Sequence, residues 1–225
     1  MLELGVPFSD PLADGPTIQR AATAALQNGF QKVQIFEILR RLEGDKPVLV
    51  MGYFNTLLAT DAGQFLSLCE ENSVSGLIVP DLPIDEEAEL WETYRRRVPF
   101  IPFVSPTTAN ERLGRIDKMN APFVYAVSVA GVTGTRDSLG VEVTDYLRRV
   151  RSVMSTPVLV GFGVSTSRIA ADVAQFADGV IVGSAVIERI ERSASLDEAL
   201  DSVSTLVRDL REALDEVSTL KAVSC

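Results

Sequence analysis

Seven short apolar runs recur along the chain: LELGV (2–6), PVLVM (47–51), GLIVP (76–80), FIPFV (100–104), PFVYAV (122–127), PVLVGF (157–162) and GVIVG (179–183). They are rich in valine, isoleucine and phenylalanine and show no clean apolar–polar alternation, the pattern of parallel strands buried on both faces. Between them lie longer stretches of helical period, predicted over 16–28, 31–43, 61–72, 84–96, 108–117, 141–152, 166–175 and 195–220. The first begins at Pro16, suited to an opening helical turn, and stops at Gly29. The second gathers Val33, Ile35, Phe36, Ile38 and Leu39 before Gly44. The last repeats Leu196, Leu200, Val203, Leu206, Val207, Leu210 and Leu214 at three- and four-residue steps, and Ser195 with Glu198 predicts a capping box at its start.

Strand–helix alternation of this kind means βαβ units and a parallel sheet. No linker or shift of composition divides the chain, so a single domain over residues 1–225 is expected. Two architectures fit: a (β/α)8 barrel without its opening part, or an open doubly wound sheet. The barrel is preferred because chemically suggestive residues follow strand after strand, whereas an open sheet gathers its ligand at one switch point.

Composition narrows the function. The 225 residues are 46% hydrophobic and 23% charged, with a formal net charge of −10, which argues against nucleic-acid and anionic-membrane partners. No apolar run is long enough for a membrane span, and the first residues lack the basic start of a secretory leader. The two cysteines, Cys69 and Cys225, make no disulfide framework, which fits a cytoplasmic setting. There is no histidine. Acid–base chemistry therefore falls to Asp, Glu, Lys, Tyr or Cys, and the commonest metal ligand is missing, so no metal site is expected.

Glycine-bearing loops follow three consecutive strands: AGVTGT (130–135), GFGVST (161–166) and VGSAVIERI (182–190). Glycine lets backbone N–H groups approach an anion, and a helix starting at Gly183-Ser184 offers its positive dipole end. Together they predict a phosphate site. Near the start, Glu3 closes an apolar strand. If aimed into a barrel mouth it would be desolvated, with a raised pKa suited to a general acid–base. Asp14, in LADGP, reads either as a functional carboxylate or as a cap for the helix starting at Pro16. Asp81, in IVPDLPIDEE, reads either as a cap for the following helix or as an outward contact. Tyr53 and Tyr125 follow or end strands, where core packing competes with ligand contact. Cys69 reads as packing.

These residues resemble a known family. ELGVPFSDPLADGPTIQ, MGYFN, GLIVPDLPIDEE, PFIPFVSPTT, YAVSVAGVTGTR, PVLVGFGVST and IVGSAVIERI are similar, in order and spacing, to the tryptophan synthase alpha subunit. The resemblance implies a (β/α)8 TIM barrel that cleaves indole-3-glycerol phosphate to indole and glyceraldehyde 3-phosphate, a carbon–carbon lyase reaction of tryptophan biosynthesis. It assigns Glu3 as acid–base, Asp14 as acceptor of the indole N–H and Tyr125 as a positioning group. Tyr53 would line the pocket, and Thr133 would close over the site and hold Asp14. Gly134, Gly163, Gly183 and Ser184 would hold the phosphate. No metal or organic cofactor is implied for this chain. Pyridoxal phosphate is expected only in a partner beta subunit, in an alpha2beta2 heterotetramer docked through Ser9, Asp10, Pro11, Asp81 and Pro83.

Against the family pattern, the chain is expected to be N-terminally truncated. It would lack the first β/α unit and most of the second strand, leaving seven visible strands and an incomplete barrel, without an aromatic that lines the indole pocket. Three readings follow: the lyase itself, a catalytically impaired fragment that only binds and activates the beta subunit, or another phosphate-binding barrel such as a sugar-phosphate isomerase, which the opening motif disfavours.

Overall fold

Every one of the seven predicted apolar runs contributes to a parallel strand pairing. The structure, a computed structural model, describes residues 1–42, 44–58, 61–82, 94–127, 139–161 and 163–223. They fall into two compact units, Met1–Pro102 and Phe103–Cys225.

The first unit carries β1 (Leu2–Gly5), β2 (Val48–Met51) and β3 (Gly76–Ile78), hydrogen-bonded in that order. The pairing is parallel, with Glu3 opposite Leu49 and Val50 opposite Leu77. Leu49, Val50, Leu77 and Ile78 are excluded from water, as their apolar runs require. The crossovers are α1 (Pro16–Gln27) and α2 (Gln34–Arg41) between β1 and β2, then α3 (Phe54–Leu57) and α4 (Ala62–Glu71) before β3. Pro16 opens α1 as expected. In α2, Ile35, Phe36 and Leu39 form the buried face, and Phe36 meets Phe65 of α4 edge-on at 5.5 Å. Cys69 is buried in α4 beside Phe65 and Leu66, and burial first, then the Glu70 charge, pushes its thiol pKa up to about 12. It packs, as its sequence position suggested.

The run predicted over 100–104 divides at Pro102. Phe100 bridges to Leu77 of β3, and Ile101 donates its N–H to the Leu77 carbonyl at 2.9 Å. Pairing with a different neighbour resumes only at Phe103. Proline has no N–H to donate to a ladder, which explains a break at this position.

The second unit carries β4 (Phe103–Val104), β5 (Val124–Ala126), β6 (Val158–Val160) and β7 (Gly179–Val180), parallel and hydrogen-bonded in sequence order. Its helices are α5 (Asn110–Asp117), α6 (Val141–Val153), α7 (Ser167–Ala174), α8 (Ser184–Arg192) and α9 (Leu196–Val223). Leu113, Ile116, Leu147, Val150, Ala170 and Val173 pack inward from α5, α6 and α7. Arg149 of α6 holds the turn after β4 by donating to the carbonyls of Pro106 (2.8 Å) and Thr108 (2.7 Å). The capping box forms with a shift: Ser195 Oγ accepts the Glu198 N–H, while the Glu198 carboxylate accepts from Ala194 rather than from Ser195 itself.

Boundaries agree with the predicted helices to within about three residues. Most of the helix predicted over 84–96 lies outside the described residues. Helix α3 was not anticipated, because four residues carry no readable period.

Candidate functional site

The candidate residues occur in both units. In the first, Glu3 is half-buried in β1. Desolvation, followed by the nearby Asp14 charge, pushes its pKa up to about 7. A carboxylate loses hydration when buried, and like charge beside it adds to the cost of ionising. At neutral pH such a group is available both as acid and as base.

Asp14 lies in the loop between β1 and α1. It does not cap α1: the cap position is Gly15, with no side-chain hydrogen bond. Its Oδ2 instead accepts the Tyr53 hydroxyl at 3.0 Å. Burial raises the Asp14 pKa, and the Tyr53 hydrogen bond opposes that rise by favouring the ionised form. Tyr53, the residue before α3, is itself buried, its ring stacked on Phe8 with centroids 5.2 Å apart. Its hydroxyl also accepts the Ala13 N–H at 2.9 Å. One tyrosine thus fixes both the backbone and the carboxylate of the opening loop. Burial and the surrounding negative charge, offset in part by the Ala13 hydrogen bond, push the Tyr53 pKa upward, so its hydroxyl keeps its proton.

Asp81 does act as a cap, of an element 27 residues earlier: its carboxylate accepts the N–H of Phe54, the first residue of α3, at 2.8 Å. Asp81 is exposed. Ser9 and Asp10 are exposed and hydrogen-bonded to each other, and Pro11 is half-buried beside them. Pro83 lies outside the described residues.

In the second unit Tyr125 is buried in β5 and pairs in register with Phe103 of β4, their rings 4.9 Å apart. Its ring lies directly over Gly161, which follows β6. A Cβ built on Gly161 would stand 2.0 Å from Tyr125 Cε1, so no other residue fits without moving the ring. Gly163, two residues on, has φ +61, a left-handed conformation that glycine adopts without cost. β6 pairs with β7, Val160 opposite Val180, so the loops carrying Gly163 and Gly183 leave the same ends of adjacent strands. Gly183 then caps α8, whose first residue is Ser184 and whose first turn holds no acidic side chain. A helix start of this kind presents N–H groups with no intrahelical partner and a positive dipole end. Thr133 and Gly134, the third phosphate loop, lie outside the described residues.

The structure therefore joins Glu3, Asp14 and Tyr53 in one cluster, and Gly163 and the Gly183-Ser184 helix start follow the same ends of adjacent strands. Sequence reasoning missed two features. The Tyr53 hydroxyl is one, since the sequence places this residue only in the pocket wall; a tyrosine following an apolar strand, in a chain with an Asp-bearing loop after the preceding strand, was the available clue. Gly161 was noted only as part of a loop, since its constraint arises from a ring on a neighbouring strand.

Comparison with known proteins identifies the family. Residues 1–215 match the family profile described as "Tryptophan synthase alpha chain". The tryptophan synthase alpha chain of Thermoanaerobacter sp. (strain X514) is 39% identical over 215 residues, covering 94% of this chain and 82% of the relative. That of Bacillus cereus is 43% identical over 194 residues, covering 85% of this chain and 75% of the relative. Among solved structures, the tryptophan synthase A-subunit of Pyrococcus furiosus matches with a TM-score of 0.83 and 35% identity, over 93% of this chain and 85% of that one. The tryptophan synthase alpha chain of Legionella pneumophila matches with a TM-score of 0.83 and 33% identity, over 96% and 80%. The repeated parallel strand and helix, with neighbours of this kind, is the α/β arrangement of the (β/α)8-barrel class. The chain belongs to the tryptophan synthase alpha chain family.

Proposed function

We propose that this chain is the lyase of its family, cleaving indole-3-glycerol phosphate to indole and glyceraldehyde 3-phosphate. The observation that carries the reading is the Glu3 carboxyl, which burial and Asp14 hold near neutrality. In its protonated form Glu3 delivers a proton to the indole ring carbon that bears the glycerol chain. The carbon–carbon bond then breaks as the adjacent hydroxyl becomes an aldehyde, and its proton returns to the Glu3 carboxylate. No atom is gained or lost, and the enzyme ends as it began. Asp14 accepts the indole N–H and offsets the positive charge that develops on the protonated ring. The Tyr53 hydrogen bond favours the ionised Asp14 that this role needs.

Tyr125 is assigned the positioning of the reacting groups. The backbone amides of Gly163, Gly183 and Ser184, with Gly134, are assigned to the phosphate, and Thr133 to closure over Asp14. The chemistry uses side chains and backbone alone, with no metal or organic cofactor on this chain. A beta subunit carrying pyridoxal phosphate is the proposed partner, in an alpha2beta2 assembly reached through Ser9, Asp10, Pro11, Asp81 and Pro83. Among the described residues no helix is long and apolar enough to cross a membrane, and the proposed setting is the cytoplasm. The alternative of a binding partner without catalysis is not favoured, since the relatives are named for the synthase itself and Glu3 retains an acid–base's environment.

The test is indole release from indole-3-glycerol phosphate, alone and with a beta subunit. Glu3→Gln is expected to lower the rate by roughly 10²- to 10⁴-fold. A chain that releases no indole under either condition contradicts the reading.

A further inference from the structure

Asp81 stands outside the Glu3–Asp14–Tyr53 cluster but is bonded to it through the backbone. Its carboxylate accepts the Phe54 N–H at 2.8 Å and so fixes the first turn of α3. The residue immediately before that turn is Tyr53, whose carbonyl accepts the Leu57 N–H at 3.0 Å and closes the turn from the other side. The Tyr53 ring leaves this cap position, stacks on Phe8 and ends in the hydroxyl that binds Asp14 and the Ala13 amide. A tyrosine hydroxyl sits at the end of a long rigid lever, so a small backbone rotation at its base carries it out of hydrogen-bond range. We propose that Asp81 is a positioning residue for the reaction: by capping α3 it aims the Tyr53 hydroxyl at Asp14.

The two routes by which Asp81 acts on Asp14 have opposite signs. Through its field alone, the negative charge of Asp81 can only make negative charge on a neighbouring group costlier, as it does at Tyr53, so removing it would not raise the Asp14 titration. Through the cap, removing Asp81 loosens Tyr53, and Asp14 loses the hydrogen bond that favours its ionised form. The titratable groups that the described residues bring to Tyr53 are Asp14 and Asp81, and Asp14 in turn faces Glu3. The service of Asp14 to the substrate rests on the lyase reading above, whereas its hold by Tyr53 and Asp81 does not.

The experiment follows the carboxyl resonance of Asp14 by carbon-13 NMR across pH in the full chain without substrate. Indole release is measured in parallel. In Asp81→Ala the Asp14 titration is expected to move to higher pH, and the acid limb of kcat/KM to move with it, with kcat/KM down about tenfold. Tyr53→Phe, which leaves the α3 cap intact, should move the titration the same way and keeps the test open if Asp81→Ala does not fold. Asp81→Asn keeps an oxygen for the Phe54 N–H while losing the charge, so its Asp14 titration should stay in place or fall. The double variant Asp81→Ala/Tyr53→Phe should be no worse than the worse single one. An Asp14 titration that falls or stays fixed in Asp81→Ala, or rises equally in Asp81→Asn, overturns the proposal. If the NMR shifts appear but the wild-type chain releases no indole, the positioning role stands and only the lyase reading is lost.

Discussion

The candidate residues of the two units are shaped by opposite means. In Met1–Pro102 the work is done by side chains drawn together from separate elements: Glu3 from β1, Asp14 from the following loop, Tyr53 from the start of α3. Their properties come from burial and hydrogen bonding, and what is tuned is charge. In Phe103–Cys225 the candidate positions are defined where side chains are absent. Gly161 makes room for Tyr125, Gly163 turns the chain, and Gly183 with Ser184 starts a helix. What is tuned there is volume and backbone direction. The first unit should therefore respond to pH and to loss of charge, and the second to added atoms.

The largest effect on stability is expected from Glu3→Gln. The folded chain holds a proton on Glu3 that the unfolded chain releases between pH 4.5 and about 7. Stability therefore falls as pH rises through that window, and the loss is complete above it. The loss is at most about 3 kcal/mol, from the displacement of the pKa. Glutamine has no proton to release, so the variant should be more stable than wild type at pH 8 and show no gain below pH 4.5. Urea unfolding at both pH values checks this, and equal stabilities at pH 8 would remove charge as the theme of the first unit.

Gly161→Ala comes next. Its new methyl meets the Tyr125 ring at sub-contact distance, and overpacking of this kind costs about 1–3 kcal/mol. The variant should lower the melting temperature and displace Tyr125 while leaving the Glu3 titration where it was. A change in that titration would mean that the units do not divide charge from volume as described.

How much of this was legible in the sequence differs between the same two regions. The strands were legible because parallel strands buried on both faces read as continuous apolar runs, and PVLVM and PVLVGF could be little else. The raised pKa of Glu3 was legible because one carboxylate interrupts an otherwise apolar strand, although it stands second in β1 rather than at its end as expected. The division of FIPFV at Pro102 was less so, since β-propensity concealed a missing N–H. What stayed hidden was long-range. Asp81 caps a helix 27 residues before it, and a cap is normally sought in the residues next to the helix it serves. Asp14 looked like a local cap until Tyr53, 39 residues later, claimed its carboxylate. Gly161 needed the knowledge that β5 and β6 are neighbours.

The smallest effect is expected from Asp117→Asn, chosen because it carries charge within the second unit. Its carboxylate accepts the N–H and hydroxyl groups of both Ser155 and Thr156, which hold its pKa below the usual value, led by the Thr156 amide. Stability from this group is present above the unfolded pKa and lost as pH falls through the folded one. Asparagine keeps an oxygen acceptor but not the charge, so the variant should lose about 1 kcal/mol at pH 7 with indole release unchanged. A fall in indole release would draw Asp117 into the chemistry and blur the division between the units.

The central proposal is that a half-buried glutamate poised near neutrality serves as the acid–base that breaks the carbon–carbon bond. Indole release measured from pH 5 to 9, for wild type and Glu3→Gln side by side, tests it most directly. The wild-type profile should bend near pH 7, where Glu3 changes charge, and the variant should lose both the rate and the bend. A variant that keeps the wild-type rate, or a wild-type profile with no bend between pH 5 and 9, would contradict it.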